Sequence, residues 1–154
     1  MKILKIQALR GPNIWSVQRK KLIQMRLDLE EMEEFPTNKI EGFRERIEAQ
    51  FPTMIEHRCS EGCRGGFFTR IEKGTWMGHV IEHIALEIQT LAGMNCGFGR
   101  TRQTSAKGVY NVVFNYWEAK AGIFAAKASV AIAEALIDGR PYHVEDDIQK
   151  LREI

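Results

Sequence analysis

The chain of 154 residues is poor in several things that would each decide its class. Its three cysteines, Cys59, Cys63 and Cys96, are few and odd in number for a disulfide framework, and its first residues read as a strand rather than a signal peptide. The expected setting is therefore a reducing cytoplasm, with thiols either free or metal-bound. No apolar run approaches the roughly 20 residues of a membrane span, so no membrane partner is expected. Lys and Arg number 22 against 20 Asp and Glu, and a net charge of +2 implies no nucleic-acid partner. The short basic run Arg19-Lys20-Lys21 reads as a solvated turn. There is no internal repeat, no low-complexity tract and no G-x-x-x-x-G-K-[ST] phosphate loop.

The apolar content is 44%, normal for a globular fold, and the length suits one domain over residues 1–154 that buries about two-thirds of its unfolded surface. MKILKIQAL alternates as a strand, Gly11-Pro12-Asn13 breaks it, and KLIQMRLDL from Lys21 alternates again, which predicts an early antiparallel pair. In GFRERIEAQF (42–51), Phe43, Ile47 and Phe51 recur every four residues as on an amphipathic helix, ended by Pro52. EHRCSEGCRGG (56–66) reads as a glycine loop holding two cysteines and a histidine, and Phe67 to Ile71 as a short strand. Thr75 then caps a helix carrying Val80, Ile81, Ile84, Ala85, Ile88 and Leu91, stopped by Gly93. GFGRTRQTSAKG reads as a polar loop, GVYNVVFNYW as a strand, and AKAGIFAAKASVAIAEALIDG as a helix ended by Gly139. A last short helix, 144–153, follows Pro141. The expected class is α+β, a mostly antiparallel sheet with helices packed on one face.

The helix beginning GHVIEHIALE carries the chemistry. Residues four apart share a helical face, about 6 Å from each other, so His79 and His83 can hold one zinc ion through their imidazole nitrogens. Glu82, three residues from His79, can reach a water there as general base, while zinc lowers the water's pKa towards about 7. This is the H-x-x-E-H order, the inverse of H-E-x-x-H. The same pair also fits a plain polar stripe on a partly exposed helix.

A catalytic zinc takes three protein ligands and keeps one position open. Glu87 lies eight residues from His79, about 12 Å along the helix, and suits a supporting or surface role better than a ligand's. The loop upstream offers Cys59 or Cys63. One thiolate leaves room for water, whereas both would close the coordination and make the metal structural. Cys96, past the helix stop, looks like a bystander. Arg100 and Arg102 near the helix end could hold a substrate carboxylate or a developing oxyanion. Trp15, Trp76 and Trp117 read as core or rim aromatics.

MKILKIQALRGPNIWS, KLIQMRLDLE, CSEGCRGGF, GTWMGHVIEHIALEIQTLAGM and GFGRTR together resemble the N-terminal domain of the cyanophycin synthetases, over nearly the whole chain. The resemblance implies a partner polymer, cyanophycin, with a poly-aspartate backbone and an arginine on each side-chain carboxyl. It also implies partner domains, ATP-grasp and Mur-ligase-like, which 154 residues cannot contain. In that family the domain is associated with holding the polymer, and in some members with a cryptic metal-dependent hydrolase that makes primer ends. His79, Glu82 and His83 are all present, which matches the hydrolase version. The implied mechanism is cleavage of a backbone peptide bond with Zn2+ on His79, His83 and Cys59, Glu82 as base, and Arg100 on a carboxylate or oxyanion. The rival is a non-catalytic polymer anchor with at most a structural metal.

Overall fold

The structure, a computed structural model, describes residues 1–16 and 20–154. Arg19 of the basic run lies outside the described residues. Strands β1 (Lys2–Arg10) and β2 (Lys21–Asp28) pair antiparallel as their alternation predicts, with Ile6 opposite Met25. Strands β3 (Gly99–Gln103) and β4 (Val109–Asn115) complete one antiparallel sheet in the order β1-β2-β4-β3.

Period-two alternation sends Ile23, Met25 and Leu27 of β2 to one face, directly across from Phe114, Val112 and Tyr110 of β4. All six are buried. Burying each large apolar side chain contributes roughly 1.5–3 kcal/mol, which fixes the strand register, since a slip of one residue would expose the whole set. On the opposite face, Gln7, Gln24 and Asn111 form a short amide ladder, with bonds of 2.5 and 2.9 Å.

The helices pack on the apolar face. Helix α3 (Met77–Leu91) lies against β3 and β4, and α4 (Ala119–Asp138) against β1 and β2. Alanines let α4 approach closely: a Cβ at Gly122 would meet Ile23 Cγ1 at 2.7 Å. Gly139, at φ 66°, ends that helix in the left-handed conformation favoured there. Helices α1 (Phe43–Gln50), α2 (Gly66–Lys73) and α5 (Val144–Arg152) surround the pair. No helix among the described residues is long and apolar enough to cross a membrane.

Three local expectations are corrected. Phe67 to Ile71 is not a strand but the body of α2, because Phe67, Phe68 and Ile71 all bury from one helical face. GFGRTRQTSAKG is not wholly loop: Gly99–Gln103 forms edge strand β3, whose hydrogen bonds come from β4 rather than from any apolar pattern of its own. Thr75 does not cap α3, whose first flanking residue is Trp76 with no side-chain cap. Its hydroxyl engages His79 instead.

Candidate metal centre

Successive turns of α3 carry Gly78, His79, Glu82, His83 and Glu87, and all of these but His79 are buried. His79 and His83, one turn apart, bring their Nε2 atoms to 3.0 Å of each other. Cys59 Sγ lies 3.1 Å from His79 Nε2. The donor atoms of Cys59, His79 and His83 all lie within 4.8 Å of one another, so these three side chains could hold a metal ion. Two nitrogens each 2.0–2.1 Å from one tetrahedral ion must stand about 3.3 Å apart, near the observed separation. Cys63 is exposed and Cys96 is buried, its thiol directed to Gln89.

Cys59 begins a short 3-10 turn, Cys59–Glu61, and sits at φ 56°. The left-handed region is unfavourable for a side chain with a Cβ, by roughly 1–2 kcal/mol. The loop holds that conformation because it is folded tightly onto the start of α2: a Cβ at Gly66 would fall 1.9 Å from the carbonyl oxygen of Arg58.

Each histidine's second nitrogen is also engaged. His79 Nδ1 lies 3.0 Å from Thr75 Oγ1. His83 Nδ1 lies 2.8 Å from His57 Nδ1, and His57 Nε2 lies 2.7 Å from Glu87 Oε2. Thr53 donates to the other Glu87 oxygen. Burial opposes ionisation of Glu87, but the bonds from His57 and Thr53 outweigh it and hold the carboxyl below its usual range. The ionised carboxylate accepts from His57 Nε2, which leaves His57 Nδ1 as acceptor for a proton on His83 Nδ1. His83 Nε2 is then a bare lone pair facing the cluster, the form in which imidazole binds metal. Phe67 supports the ring, with centroids 4.4 Å apart and planes tilted 30°.

Burial, then the nearby Arg70, lowers His79 to about 4. Burial, then His79 and His57, holds His83 well below its ordinary value. Both rings are therefore neutral near pH 7. Glu82 is held by β3, where Thr101 donates to its Oε2 at 2.6 Å. Burial raises its carboxyl to about 7, against the opposing pull of Thr101, Arg102 and His57. Its seat needs Gly99, since a Cβ there would lie 2.4 Å from Glu82 Oε1.

The histidines, Cys59 and Glu82 line one cavity of about 910 Å³, and Arg100, Arg102 and the half-exposed Trp76 border it as well. Trp117 stands outside that lining and is 60% exposed, so it is no core aromatic. Glu87 is buried, not a surface charge. The sequence reading assigns no role to His57, which is one histidine in a loop without periodicity. Thr53 and Thr101 carry no signal in the sequence, and Thr75 reads there only as a helix cap.

Fold and donor set together describe an α+β structure with a three-donor cluster in a cavity, two donors on α3 and the third on the loop before α2. The family described as cyanophycin synthase-like N-terminal domain matches residues 24–138, and the chain belongs to it. It is similar along its whole length to proteins named cyanophycin synthetase: 52% identical to that of Synechocystis sp., 50% to that of Trichormus variabilis and 52% to that of Geminocystis herdmanii. The chain spans 17–18% of the length of these relatives.

Proposed function

We propose that this chain binds cyanophycin and hydrolyses peptide bonds of its backbone, making new chain ends on which the remaining domains of a synthetase can build. The observation that carries the reading is the convergence of Cys59 Sγ, His79 Nε2 and His83 Nε2, 3.0–3.1 Å apart along the chain of donors. Two neutral imidazoles and one thiol suit zinc, and three protein donors rather than four leave the open position of a catalytic site. Zinc, when bound, supplies Lewis acidity towards the scissile carbonyl and the attacking water.

The chain's own residues do the rest. Glu82, poised near neutrality and fixed by Thr101, accepts a proton as water attacks the carbonyl carbon, then passes it to the departing backbone amine as the C–N bond breaks. Arg100 and Arg102 steady a substrate carboxylate or the developing oxyanion. The names of the relatives and the charged, near-neutral composition support the polymer as substrate.

The test combines metal analysis with chain-length analysis by electrophoresis after incubation with soluble cyanophycin. Wild type should carry about one zinc and shorten the polymer; Glu82→Gln should keep zinc and polymer binding and lose cleavage on the order of 10²-fold or more. Shortening by both proteins alike refutes the role of Glu82. Shortening by neither, with binding intact, makes the chain a polymer anchor.

A further inference from the structure

The same cavity is bordered by a residue the mechanism above does not use. Arg70, on α2, lines it together with Cys59 and His79. Its Nε is buried and, among the described residues, has no hydrogen-bond partner. Acids of the same helix, of the turn packed on it and of the cavity lining are committed elsewhere: Glu72 to Arg44, Glu61 to Lys73 and Glu56 to Arg64. The guanidinium lies near enough to His79 to depress its basicity. Burying a donor without replacing its water is unfavourable, and native structures seldom leave a group so unless something else completes it.

We propose that Arg70 forms a carboxylate-binding subsite beside the donor cluster, separate from Arg100 and Arg102 on β3. A guanidinium presents Nε–H and one terminal N–H as a parallel fork that matches the two oxygens of a carboxylate, which a water or a chloride does not. The rest of the lining favours an anion too: Arg58, Arg70, Arg100 and Arg102 face only Glu56 and Glu82, the first paired with Arg64 and the second bonded to Thr101. Resting on the cyanophycin reading, the ligand is the arginyl α-carboxylate of the polymer. Each arginine is joined to the backbone aspartate through its amino group, so one free carboxylate remains on every unit. Held at Arg70, that carboxylate would place the backbone of its own unit over Cys59 and His79 and so select which bond meets the water.

The direct test follows arginine Nε–H signals of the 15N-labelled full chain, assigned by their loss in Arg70→Gln, during titration with β-aspartyl-arginine and with its arginine-amide counterpart. The Arg70 signal should move with the acid and stay still with the amide. On the polymer, Arg70→Gln should raise KM about tenfold or more with kcat and zinc content unchanged, and Arg70→Lys, which keeps the charge but not the fork, should fall between. An Arg70 signal indifferent to the acid, or responding equally to the amide, overturns the subsite, as does an unchanged KM in a folded Arg70→Gln. A selective response in a protein that never cuts the polymer upholds the subsite and removes the hydrolase reading alone.

Discussion

Replacing His57 by alanine should loosen the proposed zinc site without touching any of its three donors. The perturbation removes the middle of the chain Glu87, His57, His83, in which bonds of 2.7 and 2.8 Å fix which nitrogen of His83 carries the proton. Without it, His83 is free to place its proton on Nε2 and turn away a lone pair the metal needs. Losing such an orienting partner costs 10–100-fold in metal affinity, or about 1.4–2.7 kcal/mol. A separate cost falls on folding. Glu87 is only 3% exposed and would keep Thr53 alone, so the metal-free variant should lose a further ~1–3 kcal/mol of stability. Chelator competition measures the first quantity and urea unfolding in chelator the second. Glu87→Gln divides them: an uncharged amide removes most of the burial penalty yet no longer dictates the tautomer, so affinity should fall with little loss of stability. An unchanged zinc affinity in His57→Ala, measured beside a His79→Ala variant that no longer binds zinc, would refute the relay.

The other predictions concern single contacts. Gly99→Ala should cripple cleavage as severely as Glu82→Gln while zinc content is kept, because the new Cβ occupies the space of Glu82 Oε1; cleavage within threefold of wild type would show that Glu82 works from another position. Cys59→Gly and Cys59→Ala should both lose the near-ultraviolet thiolate band of the cobalt-substituted protein. In the metal-free state the glycine variant should be the more stable by about 1 kcal/mol, since only glycine adopts φ 56° without strain; equal stabilities in urea would remove the strain argument. Stability of the metal-free protein should fall as pH drops from 6.5 towards 4.5. In that window the unfolded chain protonates His79 and His83 while the folded chain does not, and Glu82, raised to about 7, opposes with a single proton of the other sign. A urea midpoint that rises on acidification would contradict this.

The sheet and the large helices were legible because their apolar periods are long: Ile23, Met25 and Leu27 at intervals of two, and Val80 to Leu91 at three and four. Helix α2 was not, since five residues holding two adjacent phenylalanines fit either period. Strand β3 was not, because an edge strand containing Arg100 and Arg102 owes its existence to β4. At the site, the face shared by His79, Glu82 and His83 follows from helical geometry alone. His57 could not be found that way, standing 26 residues from His83 in a loop whose path only the folded structure defines. The same holds for Thr101, 19 residues from the Glu82 it anchors.

The donors of the cluster belong to two parts of the fold with different mutational freedom. His79 and His83 ride on a helix whose other residues build the core, so few changes there leave a folded chain. Cys59 hangs from a short turn with no fully buried residue and adopts its backbone against its own preference. If the chain cuts the polymer as proposed, a lineage released from that demand can drop the thiol first, at a gain in stability, and retain both histidines long afterwards. Across relatives the residue at position 59 is then a sharper indicator of retained chemistry than the H-x-x-E-H pattern.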